Sequence, residues 1–227
     1  MNTYLTVTAH PDDEVLGFGA STYVLSQQGH KIYNCILSGN VEARQFRPDL
    51  KELHEHTHEA QEIIGAEPPI LGHFPNIKFN TVPHLEVVRF IEKIIEEIQP
   101  DYIFTHHPSD LNDDHLVTSR ACQAAARLFQ RRANVKPIKG LYYMEIPSST
   151  DWSFPSNVSP FQPNTFIEVC EEAVDKKIES LRAYKGVMRD FPHPRSVEIL
   201  KGLAGYRGGQ SGKNYAEAFQ AAFQILE

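Results

Sequence analysis

The strongest constraint on the fold is an alternation of short apolar segments with longer segments of helical periodicity. The apolar runs at 4–9, 31–37, 69–74, 101–106 and 140–146 predict β-strands. The intervening segments at 15–28, 50–64, 84–98 and 115–132 predict helices. Strands that alternate with helices build βαβ units with parallel strands. We therefore predict an α/β fold, a Rossmann-like, doubly wound and mostly parallel sheet with helices on both faces.

The C-terminal third of the chain departs from this alternation. Residues 148–164 form a polar, proline-rich segment that we interpret as a loop at the rim of a site. The elements expected after it are a strand at 165–169 and helices at 171–184, 196–205 and 215–226. No break in composition marks a second domain, so we predict one domain over 1–227, with a core of about 1–147 and a C-terminal part of about 148–227.

Composition excludes several classes of protein. The chain has 29 acidic and 22 basic residues, a net charge of −7, which argues against nucleic acid as a partner. No apolar run approaches the ~20 residues that span a bilayer, and the N-terminus lacks the pattern of a signal peptide. Cys35, Cys122 and Cys170 are odd in number and widely spaced, so we expect free thiols in a reducing cytoplasm.

Two segments rich in histidine and aspartate follow predicted strands. The sequence AHPDDE occupies 9–14, and THHPSDLNDDH occupies 105–115. The carboxyl ends of parallel strands share one edge of the sheet, where the sites of such folds lie. Imidazole and carboxylate groups are common ligands of zinc, so the two segments together predict a zinc site at this edge.

The spacing within these segments suggests individual roles. His10 and Asp13 lie three residues apart across a strand-to-helix turn, and His115 is the candidate third ligand. Asp12 can face a metal-bound water, and Asp114 can orient an imidazole. Acidic residues also favour a helix N-terminus without any ligand, and this alternative stays open for the first segment taken alone.

These segments resemble a known family. AHPDDE, with a later Asp-His pair, resembles the LmbE-like (PIG-L) N-acetylglucosaminyl deacetylases, in a branch with an Asp-x-Asn-x-Asp-His element. The resemblance implies a mononuclear zinc held by His10, Asp13 and His115, with Asp12 as general base. It also implies hydrolytic removal of the N-acetyl group from an amino sugar or sugar conjugate, by a protein that forms a homo-oligomer.

Two regions depart from the family pattern. Asn112 stands where the familiar element has a histidine that helps to stabilise the oxyanion, so Asn112 and Asp114 join Asp12 as catalytic candidates. Leu53 and His56 stand where an arginine and a glutamate are usual. The identity of the sugar is therefore the first property that these departures leave open.

The remaining candidates concern the substrate. Arg44 or Arg47 can replace the missing arginine, and His107 or Asp110 can share the role of the missing histidine. Trp152 lies in the polar loop, where it either stacks on a sugar ring or anchors the loop. All five are candidate contacts of the substrate.

Several alternatives stay open. Residues 54–58 match the H-E-x-x-H metalloprotease motif, but no third ligand follows in the extended pattern, so a solvated helix face is the favoured interpretation. Arg189, Arg195 and Arg207 are surface charges, oligomer contacts or binding groups for an anionic substrate. For the function, the alternatives are a zinc amidohydrolase with a non-sugar N-acyl substrate and a catalytically silent sugar-binding homologue, and another divalent transition metal can replace zinc.

Overall fold

A computed structural model describes residues 1–40, 48–154 and 159–226. The strands are β1 (Thr3–Thr8), β2 (Lys31–Ile36), β3 (Ile70–Leu71), β4 (Tyr102–His106), β5 (Gly140–Met144), β6 (Thr165–Val169) and β7 (Tyr215–Gln224). The α-helices are α1 (Asp13–Gln27), α2 (Leu50–Ile64), α3 (His84–Ile98), α4 (Asp113–Ala125), α5 (Glu171–Ala183) and α6 (Val197–Ser211). Short 3-10 turns lie at Phe79–Thr81, Leu128–Gln130 and Thr150–Trp152.

The seven strands form one sheet with the order β3-β2-β1-β4-β5-β7-β6. The first five strands in this order run parallel, and β7 runs antiparallel to both of its neighbours. The order reverses at β1, from which the chain moves outward first to one side and then to the other. This arrangement confirms the predicted doubly wound, mostly parallel α/β fold.

Helices cover both faces of the sheet. On one face Leu5, Val7 and Ile103 pack against α3 and α4. On the other face Phe18 of α1 packs against Phe104, and α2, α5 and α6 extend this layer. Each fully buried large apolar side chain contributes about 1.5–3 kcal/mol, so both layers hold the central strands firmly. In the described parts of the chain, no helix has both the length and the apolar character needed to cross a bilayer.

The predicted helix at 215–226 is wrong, because Tyr215–Gln224 forms strand β7. The segment YAEAFQAAFQ is rich in alanine, which favours a helix locally. Gly212 ends α6 with a φ of 73°, and the chain then enters the gap between β5 and β6. Hydrogen bonds to strands on both sides and burial of Ala216 and Phe219 outweigh the local helical preference.

The boundaries of two helices also differ from the prediction. The helix α6 continues to Ser211, six residues beyond the expected end. It contains several glycines, but it ends only at Gly212, which has the left-handed conformation of a helix C-cap. The helix expected at 115–132 begins earlier, at Asp113, and ends at Ala125. Its early start places Asp114 and His115 in the first helical turn, where their side chains are fixed rather than carried by a loop.

Candidate metal centre and active site

The two segments that were predicted to carry the chemistry meet at one edge of the sheet. The strands β1 and β4 pair in parallel, with Val7 opposite Thr105, so the loops that leave them lie side by side. The first loop turns directly into α1 and the second into α4. Both helices therefore direct their N-termini, the positive ends of their dipoles, toward the same edge.

Three buried side chains converge at this edge. His10 Nδ1 lies 3.3 Å from Asp13 Oδ2, and His115 Nε2 lies 3.1 Å from the same oxygen. His115 Nε2 is also 3.3 Å from His10 Nδ1. Ligands at zinc's usual bond lengths in a tetrahedral shell are about 3.4 Å apart, so these three atoms fit a single small cation.

Asp114 fixes the imidazole of His10 from behind. His10 Nε2 donates to Asp114 Oδ2 at 2.9 Å, which leaves Nδ1 as the nitrogen that faces the other two candidate ligands. The backbone N–H groups of Ile77 and Phe79 donate to the same carboxylate at 2.6 and 2.9 Å. Ile77 is held by this contact in a left-handed conformation with a φ of 57°. Asp114 thus orients a candidate ligand and shapes a neighbouring loop.

Asp110 has the same relation to His115. His115 Nδ1 lies 3.1 Å from Asp110 Oδ1, while the hydroxyls of Ser149 and Thr150 donate to the two carboxylate oxygens. The backbone N–H of Asn112 donates to Asp110 as well. These contacts point to a different role from the substrate contact expected from the sequence, because the carboxylate lies behind His115 and its oxygens are already engaged.

A second trio shares His115. His106, Asp110 and His115 also lie close enough to hold a cation. The ring of His106 stacks on His115 with centroids 3.8 Å apart, and its Nε2 accepts a hydrogen bond from Ala9 N–H. The cleft at this edge is lined by His10, Asp13 and His115, so the first trio is the set that a substrate can reach.

The electrostatics of the trio favour a bound positive charge. Burial alone would raise the pKa of Asp13, but the charge of His115 and hydrogen bonds from both histidines lower it well below the ordinary value. Burial alone would lower the pKa of His115, yet Asp13 and Asp110 raise it to about 10. Burial opposes ionisation of Asp110 too, but His115 lowers the pKa of that carboxyl to about 2. The carboxylates therefore stay ionised around a proton on His115, and a metal ion that binds there would replace this proton.

Asp12 occupies a strained turn beside the trio. Its φ is 98°, in the left-handed region, and its side chain is buried at 2% exposure. Aspartate tolerates this region better than most residues, and such conformations cluster at functional sites. Asp12 Oδ2 accepts a hydrogen bond from Arg195 Nη1 at 3.0 Å. The turn thus projects one carboxylate, with a guanidinium on it, into the cleft next to the candidate ligands.

Glu14 anchors this turn from inside the protein. Its side chain accepts from Asp12 N–H at 3.0 Å, Gln61 Nε2 at 2.9 Å and Tyr184 Oη at 2.6 Å. Burial, reinforced by the charges of Asp12 and Asp13, raises the pKa of Glu14 to about 8 despite the hydrogen bond from Tyr184. Sequence reasoning gave Glu14 no role beyond a helix N-terminus, although its place in AHPDDE was an available signal.

The cleft above the trio has a volume of about 200 Å³. Besides the three candidate ligands, its walls include Asp12, Asn76, Ile77, Asn112, Ser148 and Arg195. Three of these were not predicted as site residues, namely Asn76, Ile77 and Ser148, and Arg195 was left open among surface, oligomer and substrate roles. Asn76 and Ile77 reach the cleft from a loop with no recognisable motif, whereas Ser148 begins the polar segment that the sequence predicts at the rim of a site.

The other predicted residues lie at different distances from the cleft. Asn112 caps α4, accepting from Asp114 N–H at 2.9 Å, and lines the cleft. His107 is 2% exposed, packs edge-on against Tyr143 and Phe161, and is not part of the cleft wall. Trp152 is 52% exposed and contacts Phe154 edge-to-face. The remaining two candidates, Arg44 and Arg47, lie outside the described residues.

The H-E-x-x-H motif lies on the solvent side of α2. His54, Glu55 and His58 are exposed, which fits the solvated helix face favoured by the sequence. Leu53 and His56 point inward and are buried. Among the described residues, the groups close enough to hold a cation are those at the β1 and β4 edge, and they do not include His54 or His58.

Comparison with known proteins identifies the family. A family model described as PIG-L, GlcNAc-PI de-N-acetylase, matches residues 5–126, more than half of the chain. The chain therefore belongs to the PIG-L (LmbE-like) family. A relative described as "Uncharacterized deacetylase YaiS" of Escherichia coli (strain K12) is 28% identical over 190 residues, covering 80% of this chain and 89% of YaiS. Family and relative place the chain among the deacetylases, hydrolases that act on amide bonds.

Solved structures share the fold over nearly the whole chain. The N,N′-diacetylchitobiose deacetylase of Pyrococcus horikoshii matches with a TM-score of 0.76 and 16% identity, covering 97% of this chain and 83% of that one. GalB of Pseudomonas putida KT2440, a 4-carboxy-2-hydroxymuconate hydratase, matches with a TM-score of 0.80 and 20% identity, covering 100% and 98%. Because a deacetylase and a hydratase both use this fold, the fold by itself does not select the reaction.

Proposed function

We propose that this protein is a zinc-dependent N-deacetylase that hydrolyses the N-acetyl group of an amino sugar or sugar conjugate. The observation that carries the proposal is the convergence of His10 Nδ1, Asp13 Oδ2 and His115 Nε2 within 3.3 Å of one another, beside Asp12 in an open cleft. Membership of the PIG-L family supports the same reaction class.

The donor set suits zinc. Two imidazoles and one carboxylate form a common catalytic zinc shell, which leaves a fourth position open to the cleft. Each imidazole is oriented by a carboxylate, His10 by Asp114 and His115 by Asp110, as is usual for histidines that bind metals. When bound there, zinc would polarise the substrate carbonyl and lower the pKa of a water molecule toward about 7.

Asp12 is the proposed general base and acid. Its carboxylate accepts a proton from the attacking water while the new carbon–oxygen bond forms at the amide carbon. The same carboxyl group then delivers that proton to the amide nitrogen as the carbon–nitrogen bond breaks, because an amine anion cannot leave unaided. The products are acetate and a free amine.

Asn112 is the proposed donor to the developing oxyanion. Its Oδ1 is occupied by Asp114 N–H, so the amide nitrogen is the end of the side chain that remains for the cleft. A neutral amide can donate a hydrogen bond to an oxyanion, although it cannot act as an acid. Asp114 contributes by orienting His10 rather than by contacting the substrate.

A sugar is the proposed substrate for two reasons, the description of the family and an exposed aromatic side chain at the rim of the cleft. Trp152 presents an exposed ring on the loop whose Ser148 lines the cleft, and an exposed aromatic ring offers a stacking surface for a sugar. Arg44 and Arg47 remain proposed substrate contacts. A non-sugar N-acyl substrate is the alternative, whereas the presence of Asp12 next to a complete ligand set argues against a catalytically silent homologue.

Location and assembly are also proposals. Cys35 and Cys122 are buried free thiols and Cys170 is an exposed one, which is compatible with a reducing cytoplasm. The family resemblance of the sequence is the basis for a homo-oligomer. Size-exclusion chromatography with light scattering measures the assembly directly.

A substrate screen tests the proposed function. Zinc-loaded protein is incubated with N-acetylglucosamine, N,N′-diacetylchitobiose, a nucleotide-linked N-acetyl sugar and N-acetyl amino acids, and released acetate is quantified. The proposal expects acetate from at least one sugar and little from the amino acids. Acetate from the amino acids alone would favour the non-sugar alternative, and no acetate from any probe would contradict the proposal.

A further inference from the structure

Arg195 reaches the candidate active site from a distant part of the chain. It lies in the loop between α5 and α6, and its side chain is 23% exposed at the wall of the cleft. Its Nη1 donates to Asp12 Oδ2 at 3.0 Å, and its Nε donates to Ser148 Oγ at 2.9 Å. A planar guanidinium held at two points has little freedom, so it holds the carboxylate oxygen that it contacts.

The backbone around Arg195 is also fixed. Its own N–H donates to His193 Nδ1 at 3.0 Å, and its carbonyl accepts from Arg189 N–H at 3.3 Å. The ionic contact is therefore part of an ordered loop rather than the reach of a long surface side chain. This ordering lowers the entropic cost that makes most exposed ion pairs weak.

Ser148, the second partner of Arg195, belongs to a turn that contacts the groups around both Asp12 and His115. Ser148 holds Arg195, while Ser149 and Thr150, the next two residues, donate to Asp110 behind His115. Ser148 has a φ of 75°, a left-handed conformation that a serine adopts rarely. One strained turn thus contacts both Arg195, which pairs with the proposed base, and Asp110, which orients the proposed ligand His115.

Two roles are compatible with an arginine in this cleft. It can bind an anionic group of the substrate, or it can position Asp12. The contacts favour the second role, because the guanidinium is already engaged by Asp12 and by Ser148. A further anion at Arg195 would have to compete with the carboxylate of Asp12, which already neutralises the guanidinium.

We infer that Arg195 is a positioning residue that acts through Asp12, holding its carboxylate at the angle from which it exchanges a proton with water and with the amide nitrogen. The inference rests on the proposed function for its chemical consequence. It implies that Arg195 affects turnover rather than substrate binding. It also implies that Arg195 has no effect once Asp12 can no longer accept a proton.

Steady-state kinetics test this inference in the zinc-loaded full-length protein, with N-acetylglucosamine and N,N′-diacetylchitobiose as probes. Arg195→Met is expected to lower kcat by about 10²-fold, the order expected from a misplaced catalytic group, with little change in KM and unchanged zinc content. Arg195→Lys, which keeps one donor and the charge, should recover part of the loss. Arg189→Met is the matched control on the same loop, because its side chain is exposed, and it should behave as wild type.

A double substitution separates the two roles. In the Asp12→Asn background, adding Arg195→Met should cause no further loss, because the two residues act as a unit. A loss that multiplies with that of Asp12→Asn, an increase in KM with unchanged kcat, or a loss of zinc in Arg195→Met would each overturn the inference.

Crystal structures of zinc-loaded wild type and Arg195→Met provide a readout that does not depend on activity. The inference expects the Asp12 carboxylate to leave its wild-type position in the variant while His10, Asp13 and His115 stay in place. An unmoved Asp12 would overturn it. If wild type releases no acetate from any probe, the proposed function fails, and the position of Asp12 in the two structures still decides the inference.

Discussion

The first 147 residues and the remainder of the chain contribute different chemistry to the same cleft. The N-terminal part supplies the three candidate metal ligands and the acidic residues around them, whereas the C-terminal part supplies hydrogen-bond donors that hold those acids. The pairs are Asp12 with Arg195, Glu14 with Tyr184, and Asp110 with Ser149 and Thr150. Reactive groups therefore come from the N-terminal part of the chain. Their orientation comes partly from N-terminal contacts, such as that of Asp114 with His10, and partly from these C-terminal donors.

This division predicts two grades of effect. Removal of an N-terminal ligand or acid should have the larger effect, because no other group can take its place at the cleft. Removal of a C-terminal donor should weaken the same function without abolishing it, because the acid stays and loses only part of its orientation. The three predictions below test this contrast, from the largest expected effect to the smallest.

The largest effect is expected for a candidate ligand. His10→Ala removes one of three converging donors, so we expect loss of stoichiometric zinc and of detectable acetate release. Zinc content by mass spectrometry and acetate release by enzymatic assay measure both. His54→Ala is the matched control, since that histidine is exposed on α2 and should leave zinc and activity unchanged. Zinc lost with His54→Ala but kept with His10→Ala would transfer the metal site to the H-E-x-x-H motif.

An intermediate effect is expected at Asp110. Asp110→Asn replaces the carboxylate behind His115 with a neutral amide. Loss of such an orienting carboxylate typically reduces metal affinity by about 10–100-fold. Thr150→Val removes only one donor to Asp110 and should reduce zinc affinity less. Competition with a chelator gives both affinities. If Thr150→Val matched or exceeded Asp110→Asn, the proposed contrast between acids and donors would fail.

The smallest effect concerns stability and pH. Burial raises the pKa of Glu14 to about 8, above its ordinary 4.5, so the folded protein holds this proton more tightly than the unfolded chain does. The resulting stabilisation is complete below about pH 4.5 and is lost as the pH rises toward 8, at about 1.4 kcal/mol per pH unit at most. In metal-free protein, Glu14→Gln should therefore flatten the decline in unfolding free energy between these pH values.

Tyr184 provides the C-terminal counterpart for this measurement. Its hydroxyl donates to Glu14 Oε1, and that hydrogen bond lowers the pKa of Glu14. Tyr184→Phe should therefore keep the decline with pH and extend it to higher pH, whereas Glu14→Gln removes it. Urea unfolding of both variants at several pH values compares them. Equal slopes in wild type and Glu14→Gln would show that another group causes the pH dependence.

The same division explains what the sequence could predict. His10, Asp13 and His115 lie in two short motifs that follow strands, and strand order in a parallel sheet brings such motifs to one edge. Asp110 lies in one of these motifs, but spacing does not tell on which side of His115 its carboxylate lies, and the structure places it behind that imidazole. Spacing likewise does not show that His107 is buried against Phe161.

The C-terminal contributions were harder to predict. Arg195 is 183 positions from Asp12, and a contact across that separation depends on the packing of the whole chain rather than on any local pattern. The sequence left Arg195 open among surface, interface and substrate roles. Strand β7 was missed because its alanines favour a helix in isolation, whereas its neighbours β5 and β6 impose a strand.

The most direct test of the central claim compares wild type with Asp12→Asn in zinc-loaded protein. Bound zinc and acetate release from the N-acetyl sugar that wild type hydrolyses best are measured on the same samples. We predict one zinc per chain in both proteins and a turnover lower by about 10²–10⁴-fold in Asp12→Asn, the range for loss of a general base. Equal turnover in the two proteins, or activity that persists after zinc is removed by a chelator, would contradict a zinc-dependent deacetylase that uses Asp12.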